Sequence, residues 1–248
     1  MKKLNISEKN KLLAKNIPII IGGCGRSGTT LLLSILSAHP GIFAIPFETR
    51  IFTPRDNNNN LSQNKDIEAM FLYQYLMHED VLTSQLRWCE KTPKNIYFFE
   101  KINSFFENKV KMIHIVRDGR DVVTSVHPHY KNEYWVSPER WVNDVNEGLK
   151  YKTYQNVLTL KYEDLILNYH QTIKEILIFL NLDFHENMIN WITHSTIISS
   201  PSIENKMIPI HSNSIGKWNL DIHKKRISEF YNNVEAKDLL KKLGYEEI

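Results

Sequence analysis

Apolar and polar positions along the chain fall into blocks whose period switches between strand-like and helix-like. Apolar or β-branched runs at 18–21, 42–45, 111–116 and 157–161 predict short buried strands, and 88–92 predicts another that delivers Glu90 and Lys91. Between them apolar residues recur at helical spacing. Residues 29–38 carry Leu31, Leu32, Ile35 and Leu36 and stop at His39-Pro40-Gly41. Residues 94–106 carry Ile96, Phe98, Phe99, Ile102 and Phe106, and 138–153 sets Trp141, Val145 and Leu149 on one stripe. Helical patterns also fall at 65–78, 80–86, 121–127, 172–180, 186–194 and 224–243, the last stopped by Gly244. Residues 1–17 read as a frayed or weakly helical lead-in, 55–65 as a solvated loop and 195–216 as a long loop without periodicity. Strands alternating with helices predict a single α/β domain over 18–248, with a mostly parallel central sheet flanked by helices. Ligands of such sheets sit beyond the carboxyl ends of the strands, where Arg26, Glu48, Lys91, Arg117 and Tyr162 all fall.

Composition narrows the partners. The 248 residues are 42% hydrophobic, enough for a proper core, and the formal net charge is +3. That bias suits a small polyanion and is too weak to argue for nucleic acid. Cys24 and Cys89 stand far apart in different contexts, which argues against a disulfide framework and for a reducing compartment. With no apolar signal core and no run of membrane-spanning length, the expectation is a cytoplasmic protein without an integral membrane segment.

The densest chemistry lies at Gly22-Gly23-Cys24-Gly25-Arg26-Ser27-Gly28-Thr29-Thr30, between the first strand and the first long helix. Glycines free the backbone to turn its amides toward an anion, and the helix start aims further N–H groups at the same point. Gly23 and Gly28 keep the Gly-x-x-x-x-Gly spacing of a P-loop, and Thr30 takes the place of its Ser/Thr. Thr29 occupies the place of the lysine, while Arg26 supplies a cation from inside the loop. The competing reading is a tight strand-to-helix turn without a ligand.

A second anion clamp is predicted where Arg117 ends an apolar strand and Ser125 follows eight residues later, with Arg120 as a further candidate. The plainer alternative pairs Arg117 with Asp118 or Asp121 at the surface. An ordinary NTPase needs only one such clamp.

Gly23-Cys24-Gly25-Arg26-Ser27-Gly28-Thr29-Thr30-Leu31-Leu32 resembles the 5′-phosphosulfate loop of the sulfotransferase family. Val116-Arg117-Asp118-Gly119-Arg120-Asp121-Val122-Val123-Thr124-Ser125 resembles its 3′-phosphate motif, with the Arg-to-Ser spacing kept. Ala38-His39-Pro40 and Glu48-Thr49-Arg50 look most like the tyrosylprotein sulfotransferase branch. Glu90-Lys91-Thr92-Pro93, Lys161-Tyr162-Glu163-Asp164-Leu165 and Ser214-Ile215-Gly216-Lys217-Trp218 complete a resemblance that spans about 18–218.

The resemblance implies a P-loop NTPase-like sulfotransferase fold and the donor 3′-phosphoadenosine 5′-phosphosulfate. Gly25, Arg26, Ser27, Gly28, Thr29 and Thr30 would hold the 5′-phosphosulfate, Arg117 and Ser125 the 3′-phosphate, and Tyr162 and Lys217 the nucleotide. The branch carries a further arginine four residues past the serine, where this chain has His129. By the same resemblance Glu48 is the base, Lys91 and Arg26 assist the leaving group, and Ser199, Ser200 and Ser202 lie where the branch has a catalytic serine. Sulfuryl transfer by in-line attack needs positioning, a base and cations at the leaving oxygen, so the chemistry calls for no metal. Plainer roles pair Glu48 with Arg50 and Lys91 with Glu90. The implied acceptor is a hydroxyl: a peptide tyrosine by branch, with a carbohydrate, lipid or small molecule open. Trp135, near Tyr130 and Tyr134, is the candidate acceptor contact. A homodimer remains open, and the rivals are a P-loop nucleotide kinase, opposed by Thr29, and a binding module without turnover.

Overall fold

The computed structural model describes residues 4–56, 58–126, 130, 133–197 and 212–245. Its strands are β1 (Ile19–Gly23), β2 (Ile42–Ala44), β3 (Arg87–Lys91), β4 (Lys111–Val116) and β5 (Val157–Lys161), within a residue or two of the positions predicted. They form one sheet in the order β2–β3–β1–β4–β5, with every neighbouring pair parallel. The chain moves out to β2, returns through β3 and then crosses β1 to β4, so the sheet reverses direction at β1. That reversal opens a crevice at the carboxyl end of β1.

Around the sheet pack α1 (Ile6–Ala14), α2 (Thr29–Leu36), α3 (Met70–His78), α4 (Phe99–Phe105), α5 (Gly119–Val123), α6 (Pro138–Leu149), α7 (Tyr162–Leu167), α8 (Tyr169–Leu180), α9 (Trp191–His194), α10 (Lys224–Asn232) and α11 (Val234–Lys242). Both faces of the sheet are covered. Ile19 and Ile21 enter a core shared with Leu32, Ile35, Ile173 and Ile176 of α2 and α8. Ile20, pointing the other way by strand alternation, joins Leu72, Leu76, Phe99 and Ile102 of α3 and α4. The result is one α/β domain with an all-parallel sheet between helical layers.

Helix limits depart from the sequence reading for local reasons. The lead-in forms α1 because Asn5 and Glu8 cap it reciprocally at 2.9 and 2.8 Å, while the Leu13 carbonyl accepts the Trp88 indole N–H at 2.9 Å. Residues 80–86 form turns, starting from Asp80 at φ +56°. The segment predicted as one helix from 94 divides into a 3₁₀ turn, Pro93–Phe98, and α4. The segment 186–194 likewise divides, into a 3₁₀ turn and α9. The last helix breaks at Asn233, whose side chain accepts the Ala236 N–H at 2.8 Å and starts α11.

Candidate functional site

The loop after β1 sits at the middle of the sheet edge, with β3 on one side and β4 on the other. The Ser27 N–H donates to the Cys24 carbonyl at 3.2 Å and closes the turn. Arg26 holds φ +70° and Gly28 holds φ +93°, left-handed values that aim successive backbone groups to one side. Glycine is required at 28 twice over, because a Cβ there would also collide with the Tyr162 ring. α2 then begins at Thr29 without a side-chain cap, leaving its first N–H groups for a ligand. Ser27 Oγ is buried and has no hydrogen-bond partner among the described residues. A cradle with uncapped amides and an orphaned hydroxyl fits an anionic group.

The carboxyl ends of β4 and β5 build the second assembly. Arg117 donates from Nη1 to the Arg26 carbonyl at 3.0 Å and from Nη2 to the Ser214 carbonyl. Its guanidinium lies 4.5 Å from the centroid of the Tyr162 ring, and the Tyr162 hydroxyl donates to Ser214 Oγ at 2.8 Å. Arg117 Nε is buried and has no hydrogen-bond partner among the described residues. Asp121 lies 3.9 Å from Arg117 and accepts the N–H groups of Gly216 at 2.9 Å and Trp218 at 3.1 Å. Those two bonds bracket Lys217, which is exposed. Burial pushes the Asp121 carboxyl up, while Arg117 and the two amides pull it down. Ser125 is half-buried in the turn after α5, and its hydroxyl donates back to the Asp121 carbonyl at 2.7 Å. In this arrangement it offers an anion only lone pairs, so donation to a phosphate requires rotation of the hydroxyl.

Arg120, the further candidate, is engaged by neighbouring side chains. Asp118 engages it with both oxygens, the closest at 2.7 Å, the Trp218 ring stacks 4.1 Å below it, and Tyr231 takes a further N–H. Asp118 is held in turn through its own N–H, which donates to Glu163 at 3.0 Å.

On the other side of the loop, β2 and β3 deliver the remaining pair. Lys91 Nζ stands 2.7 Å from Glu48 Oε1, with the lysine side chain 6% exposed and the carboxylate 31%. Glu48 therefore pairs with Lys91 rather than with Arg50, which is exposed, and Lys91 pairs with Glu48 rather than with Glu90. Trp135 lies against the loop near Gly25, with the Arg140 guanidinium 5.2 Å from its ring. Asp144, fully buried, holds Arg140 at 3.5 Å and Lys94 at 2.8 Å beside them.

The structure thus gathers Gly25, Arg26, Ser27, Gly28, Thr29, Thr30, Arg117 and Tyr162 around the crevice, with Glu48 and Lys91 on its β2–β3 flank. His129, Ser199, Ser200 and Ser202 lie outside the described residues. Sequence reading passed over Asp121 as a tether and Ser214 as a partner of both Arg117 and Tyr162. The one signal for Asp121 was its place one helical turn after Arg117. Among the described residues no cluster of three or more His, Cys, Asp or Glu is placed to hold a metal, and no helix is long and apolar enough to cross a membrane.

A parallel sheet with a glycine-rich anion loop at its reversal point defines a protein of the P-loop type. The family model for the sulfotransferase domain matches residues 16–231, and the chain belongs to that family. It is 22% identical over 241 residues to a protein-tyrosine sulfotransferase of Drosophila melanogaster, covering 82% of this chain and 47% of the fly protein. The chain thus spans about half the length of that relative. Among solved structures it is similar to the sulfotransferase domain of the Synechococcus PCC 7002 olefin synthase, at TM-score 0.66 and 19% identity over 94% of this chain and 95% of that one. A mouse sulfotransferase complexed with PAP, adenosine 3′,5′-bisphosphate, matches at TM-score 0.55 and 17% identity over 97% and 94%.

Proposed function

We propose that the protein transfers a sulfuryl group from 3′-phosphoadenosine 5′-phosphosulfate to an acceptor hydroxyl. The observation that carries this reading is the placing of two anion-facing assemblies on neighbouring strand ends, with a carboxylate–ammonium pair on the third side. The loop, with Arg26 and Ser27, would take the 5′-phosphosulfate. Arg117, Tyr162, Ser125 and Lys217 would take the 3′-phosphate and nucleotide, and the PAP complex of the mouse structure supports that donor. When bound, the donor supplies the sulfuryl group and its phosphate leaving oxygen. Glu48 then accepts the acceptor's proton, while Lys91 and Arg26 face the charge that grows on the leaving oxygen. Lys91 holds the Glu48 carboxylate in place before an acceptor arrives.

The relatives and the ground beside Glu48 support the acceptor class proposed here. Phe47 is 40% exposed and packs edge-on against Tyr75 at 5.2 Å, with Phe71, 55% exposed, alongside. An aromatic rim next to the base suits a phenolic hydroxyl, and a peptide tyrosine is the acceptor proposed. Buried free thiols at Cys24 and Cys89 suit a reducing compartment such as the cytoplasm.

The test compares adenosine 3′,5′-bisphosphate with adenosine 5′-phosphate by calorimetry, then screens tyrosine peptides, sugars and simple phenols with labelled donor. A preference for the 3′-phosphorylated nucleotide of about 10- to 100-fold is expected from two charge-assisted contacts. Equal affinity sinks the donor assignment, and transfer to sugars alone sinks the tyrosine assignment.

A further inference from the structure

One buried carboxylate beside the site has no part in the roles above. Glu90 stands immediately before Lys91 on β3 and is 0% exposed. Its Oε1 accepts the Thr49 N–H at 3.2 Å, the Thr49 hydroxyl at 3.1 Å and the Thr92 hydroxyl at 2.6 Å. Its Oε2 accepts the Asn95 amide at 2.7 Å, and the same amide donates to the Ile21 carbonyl at 3.1 Å. Thr92 Oγ1 also accepts the Arg50 N–H at 3.4 Å. Three stretches of chain therefore meet at one side chain: the loop that carries Glu48, the strand end that carries Lys91, and β1 just before the phosphate loop.

Two further facts give that junction its meaning. Each Glu90 oxygen faces an N–H group that cannot accept in return, the Thr49 amide at Oε1 and the Asn95 side-chain amide at Oε2. Burial raises Glu90 above the ordinary carboxylate value, and the bonds from Thr92, Asn95 and Thr49 offset only part of that rise. Arg50 holds φ +57°, a conformation that a residue with a side chain keeps only where its surroundings impose it. Here two successive backbone amides are held, the Thr49 N–H donating to Glu90 and the Arg50 N–H to Thr92 Oγ1.

We propose that Glu90 is a positioning residue: it latches the Glu48-Thr49-Arg50 loop to β3, sets Glu48 against Lys91 and keeps that pair in register with the phosphate loop. The proposal rests on the reading of Glu48 as the base. Glu90 itself touches no reacting atom and acts through Glu48.

The test joins amide exchange with kinetics on Glu90→Gln, which keeps the size but turns an NH₂ toward donors. Expected are faster exchange at residues 48–51, a kcat for transfer to a tyrosine peptide lowered about 10- to 100-fold, and a Kd for adenosine 3′,5′-bisphosphate within about twofold. Thr49→Val, which removes one donor and leaves the carboxylate in place, moves the same readouts by about threefold. In the double variant Glu48→Gln/Glu90→Gln, kcat equals that of Glu48→Gln alone, because a positioning residue has nothing to act on once the base is gone. Unchanged exchange at 48–51, losses that multiply in the double variant, or nucleotide binding that falls in parallel with kcat each overturn the proposal. Unchanged turnover in Glu48→Gln overturns instead the reading of Glu48 as base, and the exchange data still decide the latch. Should Glu90→Gln fail to fold, Thr49→Val decides on the same criteria.

Discussion

Arg117 spends both terminal nitrogens on backbone carbonyls, those of Arg26 and Ser214, and lays its plane on the Tyr162 ring. Only a planar fork does all three, because an ammonium is a point charge that cannot span two carbonyls and stack. Arg117→Lys therefore keeps the charge and loses the bridge between the phosphate loop and the Ser214 segment. Affinity for adenosine 3′,5′-bisphosphate is expected to fall by about 10-fold or more, close to the loss in Arg117→Ala, from charge-assisted bonds worth about 1.5–3 kcal/mol. Calorimetric titration of both variants checks it, and a lysine variant that binds within about twofold of the wild type would show that charge alone suffices. At this scale the sequence was informative where a residue ends an apolar strand. Arg117 was legible because it follows directly on the apolar run that ends at Val116. The contacts of Arg120 with Trp218 and Tyr231 were not legible, because both come from chain about a hundred residues away.

Among the elements, the short helix α5 does more than lead away from Arg117. Through Asp121 it holds the amides of Gly216 and Trp218 and so suspends Lys217 at the edge of the site. Asp121→Asn presents one oxygen where the carboxylate presents two, and its NH₂ must face one of those amides. One tether breaks. Burial opposes the charged carboxyl, so loss of the charge offsets part of the lost bonding, and global stability is expected to change by less than about 1 kcal/mol. Amide exchange across 214–218 should rise, and nucleotide affinity should fall by about 3- to 10-fold. Urea unfolding together with exchange separates the two effects, and an undisturbed 214–218 segment would remove Asp121 from the site. The strands other than β3 were readable because a buried parallel strand is a mostly apolar run, and that signal needs no knowledge of the rest of the chain. Helix ends were not. The division of the segment from 94 at Phe98 and the break at Asn233 depend on local turns and caps, and apolar spacing carries through both unchanged.

Across the whole molecule, the sheet is covered on both faces, and that imposes a dry environment on the one histidine in its interior. His114 lies on β4 beside Gly22 in the register with β1, is 0% exposed, and neither ring nitrogen has a hydrogen-bond partner among the described residues. Gly148 of α6 packs so closely on the ring that a Cβ there would collide with it. Burial pushes the imidazole down from 6.5 to about 4, and Asp144, already engaged by Lys94, pulls it back only in part. The unfolded chain therefore takes up the proton first as pH falls. Between about 6.5 and about 4 the unfolded state binds more protons at this site than the folded one, so stability rises with pH through that window. The contribution is fully present above the unfolded value and is lost on acidification, amounting to about 3 kcal/mol at the acid end. Glu90, Glu163 and Asp121, which burial raises, tilt the curve the opposite way, because the folded state protonates them first. Those groups are common to the wild type and to His114→Leu, so the difference between the two pH profiles isolates the histidine. Urea unfolding at neutral pH and near pH 4 should show the wild type losing about 3 kcal/mol more than the variant over that range. Parallel profiles would mean that the folded protein admits a proton to His114, and therefore that the space between β4 and α6 opens to water on acidification.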